Sequence, residues 1–291
     1  MQVAIHAGAA FTGEGRLLKA LRAHKSVLTE HGVAAFGPRQ YKQAFKPTFA
    51  TSEPQFLTPE ETSQVRAGLT SDPSIRRAVF QSNALIADSK AAIQDGQFYP
   101  RAGKLMSVLD QALEDIRIDF FFTLRNPGTF IPKLLMSLPD EDRENIIRNT
   151  DLSCLNWIGM VDDIRDMAPG VNITLWSNEE SPLIWGDILR KMCGLPEDVT
   201  LEKEYNFLLS LLDEAGKEKA NALLNAGPHG DQASLRNALA DILEDHAQPE
   251  LVEEELELPG WSTDIVDAFS ELYEQDLERL ESMPEVQLLR P

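Results

Sequence analysis

Val3-Ala4-Ile5-His6, then Ala7-Gly8-Ala9-Ala10-Phe11-Thr12-Gly13-Glu14-Gly15, then Arg16-Leu17-Leu18-Lys19-Ala20-Leu21, opens the chain as a strand, a Gly-rich turn and a helix. This frame suits a bound anion. Small residues let backbone N–H groups approach it, and the positive end of the helix dipole favours it. Yet the turn carries no Lys, and it places Glu14 where an anion would sit. Two readings of Glu14 stand side by side. It fills the anion position from within, or it points to solvent as a first-turn acid that suits the dipole.

Working outward, three further stretches read as strands: 78–81 (AVFQ), 119–124 (DFFFTL) and 172–176 (NITLW). The second is apolar enough to be covered on both faces, as parallel strands are. Helical stripes lie between them: Leu17, Leu18, Leu21 and Leu28; Leu105, Leu109, Leu113 and Ile116; Cys154, Ile158, Val161 and Ile164. Thr58-Pro59-Glu60-Glu61 predicts a capping box with Pro at the first helical position, opening a helix to about Leu69. Strands alternating with helices predict right-handed βαβ units and a three-layer α/β fold with a mainly parallel sheet.

Beyond about residue 180 the pattern turns helical, over 183–193, 201–215, 217–225, 231–246 and 262–282, with Gly and Pro between the segments. Residues 250–258 (ELVEEELEL) read as an acidic linker or short helix. The expected organisation is an α/β core over 1–180 and a helical extension over 181–291, packed together as one structural domain.

A formal charge of −20 argues against a general nucleic-acid surface or docking on anionic lipid, both of which need clustered Lys and Arg. One basic pocket for a small anion remains compatible with it. Two distant cysteines, Cys154 and Cys193, fit free buried thiols in a reducing compartment. The chain enters a strand without a basic or apolar leader, so a cytoplasmic protein is expected. No His or Cys spacing suggests a metal site, and no Ser/His/Asp or Cys/His group can be assembled from spacing.

The order of these pieces resembles the bacterial sulfotransferase family, which uses 3′-phosphoadenosine-5′-phosphosulfate (PAPS). That family opens with a strand, a loop of the form H-x-G-x-x-K-[ST]-G-[ST]-[ST] and a helix. His6, Gly8, Thr12 and Gly13 match in register; Phe11 stands in place of the loop Lys, and Glu14 and Gly15 in place of the two hydroxyl residues. The family also has a strand ending in Arg, then Pro, with a Ser eight residues past the Arg. Leu124-Arg125-Asn126-Pro127 fits, and the eighth position is Lys133. The resemblance implies a P-loop-type fold and a site for PAPS or its product, 3′-phosphoadenosine-5′-phosphate (PAP), with no metal.

On that resemblance the cofactor-binding residues would be Thr12, Gly13, Glu14, Gly15, Arg16, Arg125 and Lys133, and His6 would be the candidate base. Arg125 and Lys133 would meet the 3′-phosphate; the alternative for Arg125 is a carboxylate partner that stitches strand to helix. Arg16 and Lys19 are the cations nearest the loop, and a solvated helix face is the simpler reading of both. Ser82 is the one match after the second family strand. A loop Lys of this kind stabilises the leaving phosphate by about 3–4 kcal/mol, and Phe supplies none of it. The departures therefore point to a sulfotransferase-like relative, degenerate in PAPS binding and non-catalytic. The alternatives are an active sulfotransferase on a hydroxyl acceptor, or another enzyme that handles a nucleotide or anion. Its partner would be a small anionic nucleotide or none, with a protein partner also open, and not nucleic acid or membrane.

Overall fold

A computed structural model of the chain describes residues 1–13, 15–49, 56–82, 86–226, 232–254 and 258–291. It contains strands β1 (Gln2–Gly8), β2 (Val33–Phe36), β3 (Arg77–Gln81), β4 (Ile93–Gln94), β5 (Gln97–Phe98), β6 (Arg117–Leu124), β7 (Asn172–Ser177) and β8 (Val286–Leu289). Six of them form one sheet in the order β2-β3-β1-β6-β7-β8, and β4 with β5 makes a small separate hairpin. Every pairing in the large sheet is parallel, with Val3 opposite Ala78 on one side and Ile118 on the other.

Side-chain alternation along the strands builds the three layers. Val3, Ile5, Phe80, Phe120 and Phe122 face one way, onto the helices Pro38–Ala44, Pro59–Leu69, Ala102–Ala112, Pro127–Met136, Ile158–Met167 and Thr263–Ser282. Ala4, Val79, Phe121 and Trp176 face the other, onto Arg16–Ala23, Lys25–Glu30 and Trp185–Cys193. Since 119–124 has apolar neighbours on both faces, its unbroken aromatic run is what a central parallel strand requires. A satellite cluster around Leu208, Leu212, Ala220 and Leu239 holds the helices Asn206–Leu211, Glu214–Asn225 and Gln232–His246 together.

The four strands read from the sequence are all present, as β1, β3, β6 and β7. The structure adds β2 and β8 to the sheet. Residues 286–289, beyond the last predicted helix but inside the extension expected to be helical, return to pair with β7. The predicted capping box is formed: the Glu61 N–H donates to Thr58 Oγ1 (3.3 Å) and the Thr58 N–H to Glu61 Oε2 (2.8 Å).

After residue 200 the helices Gln232–His246 and Thr263–Ser282 keep their predicted bounds, whereas the two before them, Asn206–Leu211 and Glu214–Asn225, depart from theirs. Asp213 Oδ1 accepts from the Gly216 N–H at 2.7 Å, so a helix starts at Glu214 and Gly216 lies within it. A Cβ at Gly216 would stand 2.5 Å from the His246 Cβ. The glycine serves close helix packing here and does not break the helix. Of the two thiols expected to be buried, Cys193 is buried, but Cys154 is exposed, because it ends a short 3-10 turn and not a packed helix. Among the described residues no helix is long and apolar enough to cross a membrane.

Candidate functional site

The chain leaves β1 toward β3 and β2, then crosses back to β6 and runs outward through β7 to β8. The order therefore reverses between β1 and β6. The loops after these two strands must part there, which opens a crevice at the carboxyl ends of the strands where open α/β sheets bind ligands. A cleft of about 1240 Å³ lies at this point, lined by Phe11, Gly13 and Arg16 from the first loop and by Arg125, Asn126 and Lys133 from the second.

The first loop is tightly wound. Phe11, Gly13 and Gly15 all adopt left-handed backbone, with φ of 66°, 69° and 76°. Glycine takes this conformation freely, whereas a non-glycine residue there costs about 1–2 kcal/mol. Several loop N–H groups are spent inside the protein. That of Ala9 donates to Thr123 O (3.0 Å), that of Ala10 to the Tyr99 hydroxyl (2.9 Å) and that of Thr12 to Ala9 O (3.2 Å). Thr12 is itself buried, and its hydroxyl donates to Ala9 O at 2.7 Å. Glu14, the residue with two readings, lies outside the described residues.

The second loop is held from behind. Arg125 directly follows β6, and its own carbonyl accepts from the Trp157 indole N–H at 2.8 Å. Asn126 caps the helix Pro127–Met136 by accepting from the Gly128 N–H (2.8 Å), and it donates to Ser270 of the C-terminal helix (2.7 Å). Trp261 donates to Gly128 O at 2.8 Å, just ahead of that helix.

Arg125 is 3% exposed. Its guanidinium pairs with the Glu254 carboxylate and reaches Phe11 O at 3.4 Å. Lys133 Nζ binds the other Glu254 oxygen at 2.6 Å and sits 5.5 Å from the centre of the Phe11 ring, within cation–π range. The structure thus brings Arg125, Lys133 and the loop together, and the carboxylate between the two cations comes from the acidic stretch 250–258. Residues 255–257 of that stretch lie outside the described residues. The sequence does not single out Glu254: nothing in the 128 intervening positions links an Arg after a strand to one acid among many.

No protein-family model, curated protein or solved structure matches the chain.

The remaining candidates divide between the cleft and its surroundings. Arg16 lines the cleft with its guanidinium 4.8 Å from the centre of the Phe207 ring, while Lys19 is exposed on the outer face of its helix. Gly15 is exposed at the helix start. Ser82 is buried, and its N–H donates to His6 O at 3.0 Å. Among the described residues no His, Cys, Asp and Glu group could hold a metal ion.

His6 is buried in β1 and does not line the cleft. Its ring stacks on Trp176, with centroids 5.3 Å apart, and Nε2 shares a hydrogen bond with Thr123 Oγ1 at 3.0 Å. Burial pushes its pKa down to about 3. The folded protein therefore holds the imidazole neutral, and unfolding takes up a proton below pH ~6.5. The contribution to stability is complete above that pH and falls by about 1.4 kcal/mol per unit as pH drops toward 3. Chemical denaturation of wild type and His6→Gln between pH 6.5 and 5 should show this slope in the difference between them. Parallel pH profiles would mean that His6 titrates normally.

Proposed function

We propose that this protein is a sulfotransferase-like scaffold whose PAPS site has been converted to internal use, so that it acts as a binding or regulatory protein and not as a transferase. The observation that carries this reading is the engagement of Arg125 and Lys133, the two cations expected for the 3′-phosphate, by the protein's own Glu254. Three further features support it. The loop Lys is replaced by Phe11, whose carbonyl and ring both face these cations. The described lining of the cleft includes Glu179, Glu244, Glu250, Glu253 and Glu254 against Arg16, Arg125 and Lys133, an acidic excess that repels a polyanionic nucleotide. Gly15 holds left-handed backbone, which a β-branched hydroxyl residue adopts only under strain. The parallel three-layer architecture and the switch-point cleft agree with a P-loop-type origin, and origin does not imply present use.

The test is calorimetric titration with PAP, together with a sulfuryl-transfer assay from PAPS. The expected result is no saturable PAP binding up to millimolar ligand and no turnover. Saturable micromolar binding that Arg125→Ala abolishes would overturn the reading in favour of an active PAPS site.

A further inference from the structure

We propose that residues 249–254 form an autoinhibitory strap, in which Glu254 mimics a phosphate-type ligand between Arg125 and Lys133 and its displacement opens an oxyanion subsite. This rests on the reading of the switch-point cleft as an anion site turned to internal use.

The geometry of the contact is that of a pseudo-ligand. Each oxygen of one carboxylate takes one cation: Oε1 meets Lys133 at 2.6 Å and Oε2 meets the buried Arg125. A carboxylate supplies one negative charge for two positive ones. A phosphate-type dianion would match both cations and offer more acceptor oxygens to the guanidinium fork. Among the described residues Arg125 Nε is also buried with no hydrogen-bond acceptor, so the guanidinium has donor capacity that Glu254 leaves unused.

The strap is attached in a way that allows release. Its first residues follow Gln248, whose N–H donates to Leu211 O (2.8 Å) and whose side chain donates to Leu212 O (2.9 Å). Beyond that anchor, Pro249 to Glu253 are all exposed, and the two apolar residues, Leu251 and Val252, are 49% and 45% exposed. Little apolar surface is buried beneath the strap, so lifting it exposes little to water. Among the described residues, the ion pairs that hold it on the cleft are those of Glu254. That contact is intramolecular, and a free anion must compete with a tethered one whose effective concentration is high.

The experiment titrates inorganic phosphate, at constant ionic strength, into wild type, Glu254→Gln and Glu253→Gln. Phosphorus NMR line width and the thermal midpoint are the readouts. Removing an occupant that keeps the site open only ~1–10% of the time raises apparent affinity about 10- to 100-fold. Glu254→Gln should show that gain. Glu253→Gln, which removes the adjacent charge and leaves the contact in place, should not. Adding Arg125→Ala to Glu254→Gln should abolish the gain. Equal affinity of wild type and Glu254→Gln, or an equal gain in Glu253→Gln, overturns the strap.

If the double variant does not fold, amide exchange on the wild type decides. Phosphate should speed exchange over 249–254, including the Glu253 N–H that is bonded to Pro249 O, and unchanged exchange overturns the proposal. The two readings fail separately. Micromolar PAP binding by the wild type overturns the degenerate-site reading, while failure of the strap appears only in the phosphate comparison.

Discussion

Trp157→Ala should lower folding stability by about 3–5 kcal/mol, near the top of the range for a buried large-to-small change. The Trp157 side chain is fully buried. Its ring stacks on Phe98 with centroids 4.5 Å apart and packs against Tyr99, Phe122 and Phe130 at 5.6–6.1 Å. Its indole N–H is the donor to the Arg125 carbonyl. The alanine variant leaves a cavity among aromatic rings and removes the partner of a backbone carbonyl at the mouth of the cleft. Trp157→Phe separates the two effects, since it keeps most of the ring and loses only the hydrogen bond, for about 1 kcal/mol plus the smaller ring. Urea unfolding of the three proteins measures both. A loss under 1 kcal/mol in the alanine variant would mean that this cluster does not support the second loop.

Asp119→Ala should be comparably severe, about 3–5 kcal/mol, because it strands a buried charge. Arg77 and Asp119 face each other across the amino-terminal end of the sheet at 2.6 Å, each side chain only 7% exposed. Arg77 also donates to Gln2 Oε1 and to Met192 O, both at 2.8 Å, and Asp119 accepts from Asn172 at 3.0 Å. One pair thus joins β1, β3, β6, β7 and the helix Trp185–Cys193. Arg117 touches the same carboxylate at 2.9 Å but is 59% exposed, so Arg117→Ala should cost no more than ~1 kcal/mol. Arg77→Met combined with Asp119→Leu should recover much of the loss, because no charge is then left unpaired. A double-mutant cycle from denaturant midpoints gives the coupling. An Asp119→Ala loss no larger than that of Arg117→Ala would remove this pair from the account of the sheet.

The strands that could be read from the sequence were those whose own composition announces burial. Asp119 to Leu124 is aromatic on both faces, and 172–176 alternates beside it. Val33-Ala34-Ala35-Phe36 is four residues long with two alanines, so neither length nor β-propensity distinguishes it from a helix end. Val286 to Leu289 follows a 20-residue helix and carries no period of its own; only the open edge of β7 makes it a strand. At the site, the resemblance implies that Arg125 and Lys133 share a site with the first loop, and both line one cleft with Phe11. The sequence also leaves open that Arg125 meets a carboxylate, and it does. The identity of that carboxylate was not legible, because tertiary folding alone brings residue 254 to residue 125. Gly216 shows the same limit: a glycine between two helical stripes reads as a break, until the neighbouring helix is seen to need the space.

The sixth strand has a consequence for how the protein is made. During synthesis β1, β2, β3, β6 and β7 have all emerged before roughly a hundred further residues separate them from β8. At about 5–20 residues per second, that interval is on the order of 10 s. Throughout it the outer edge of β7, whose residues 173–176 pair with β8 in the finished protein, offers unpaired backbone groups to any neighbouring chain. The last strand therefore acts as a seal on the nascent sheet, closing the edge that stays open during that interval.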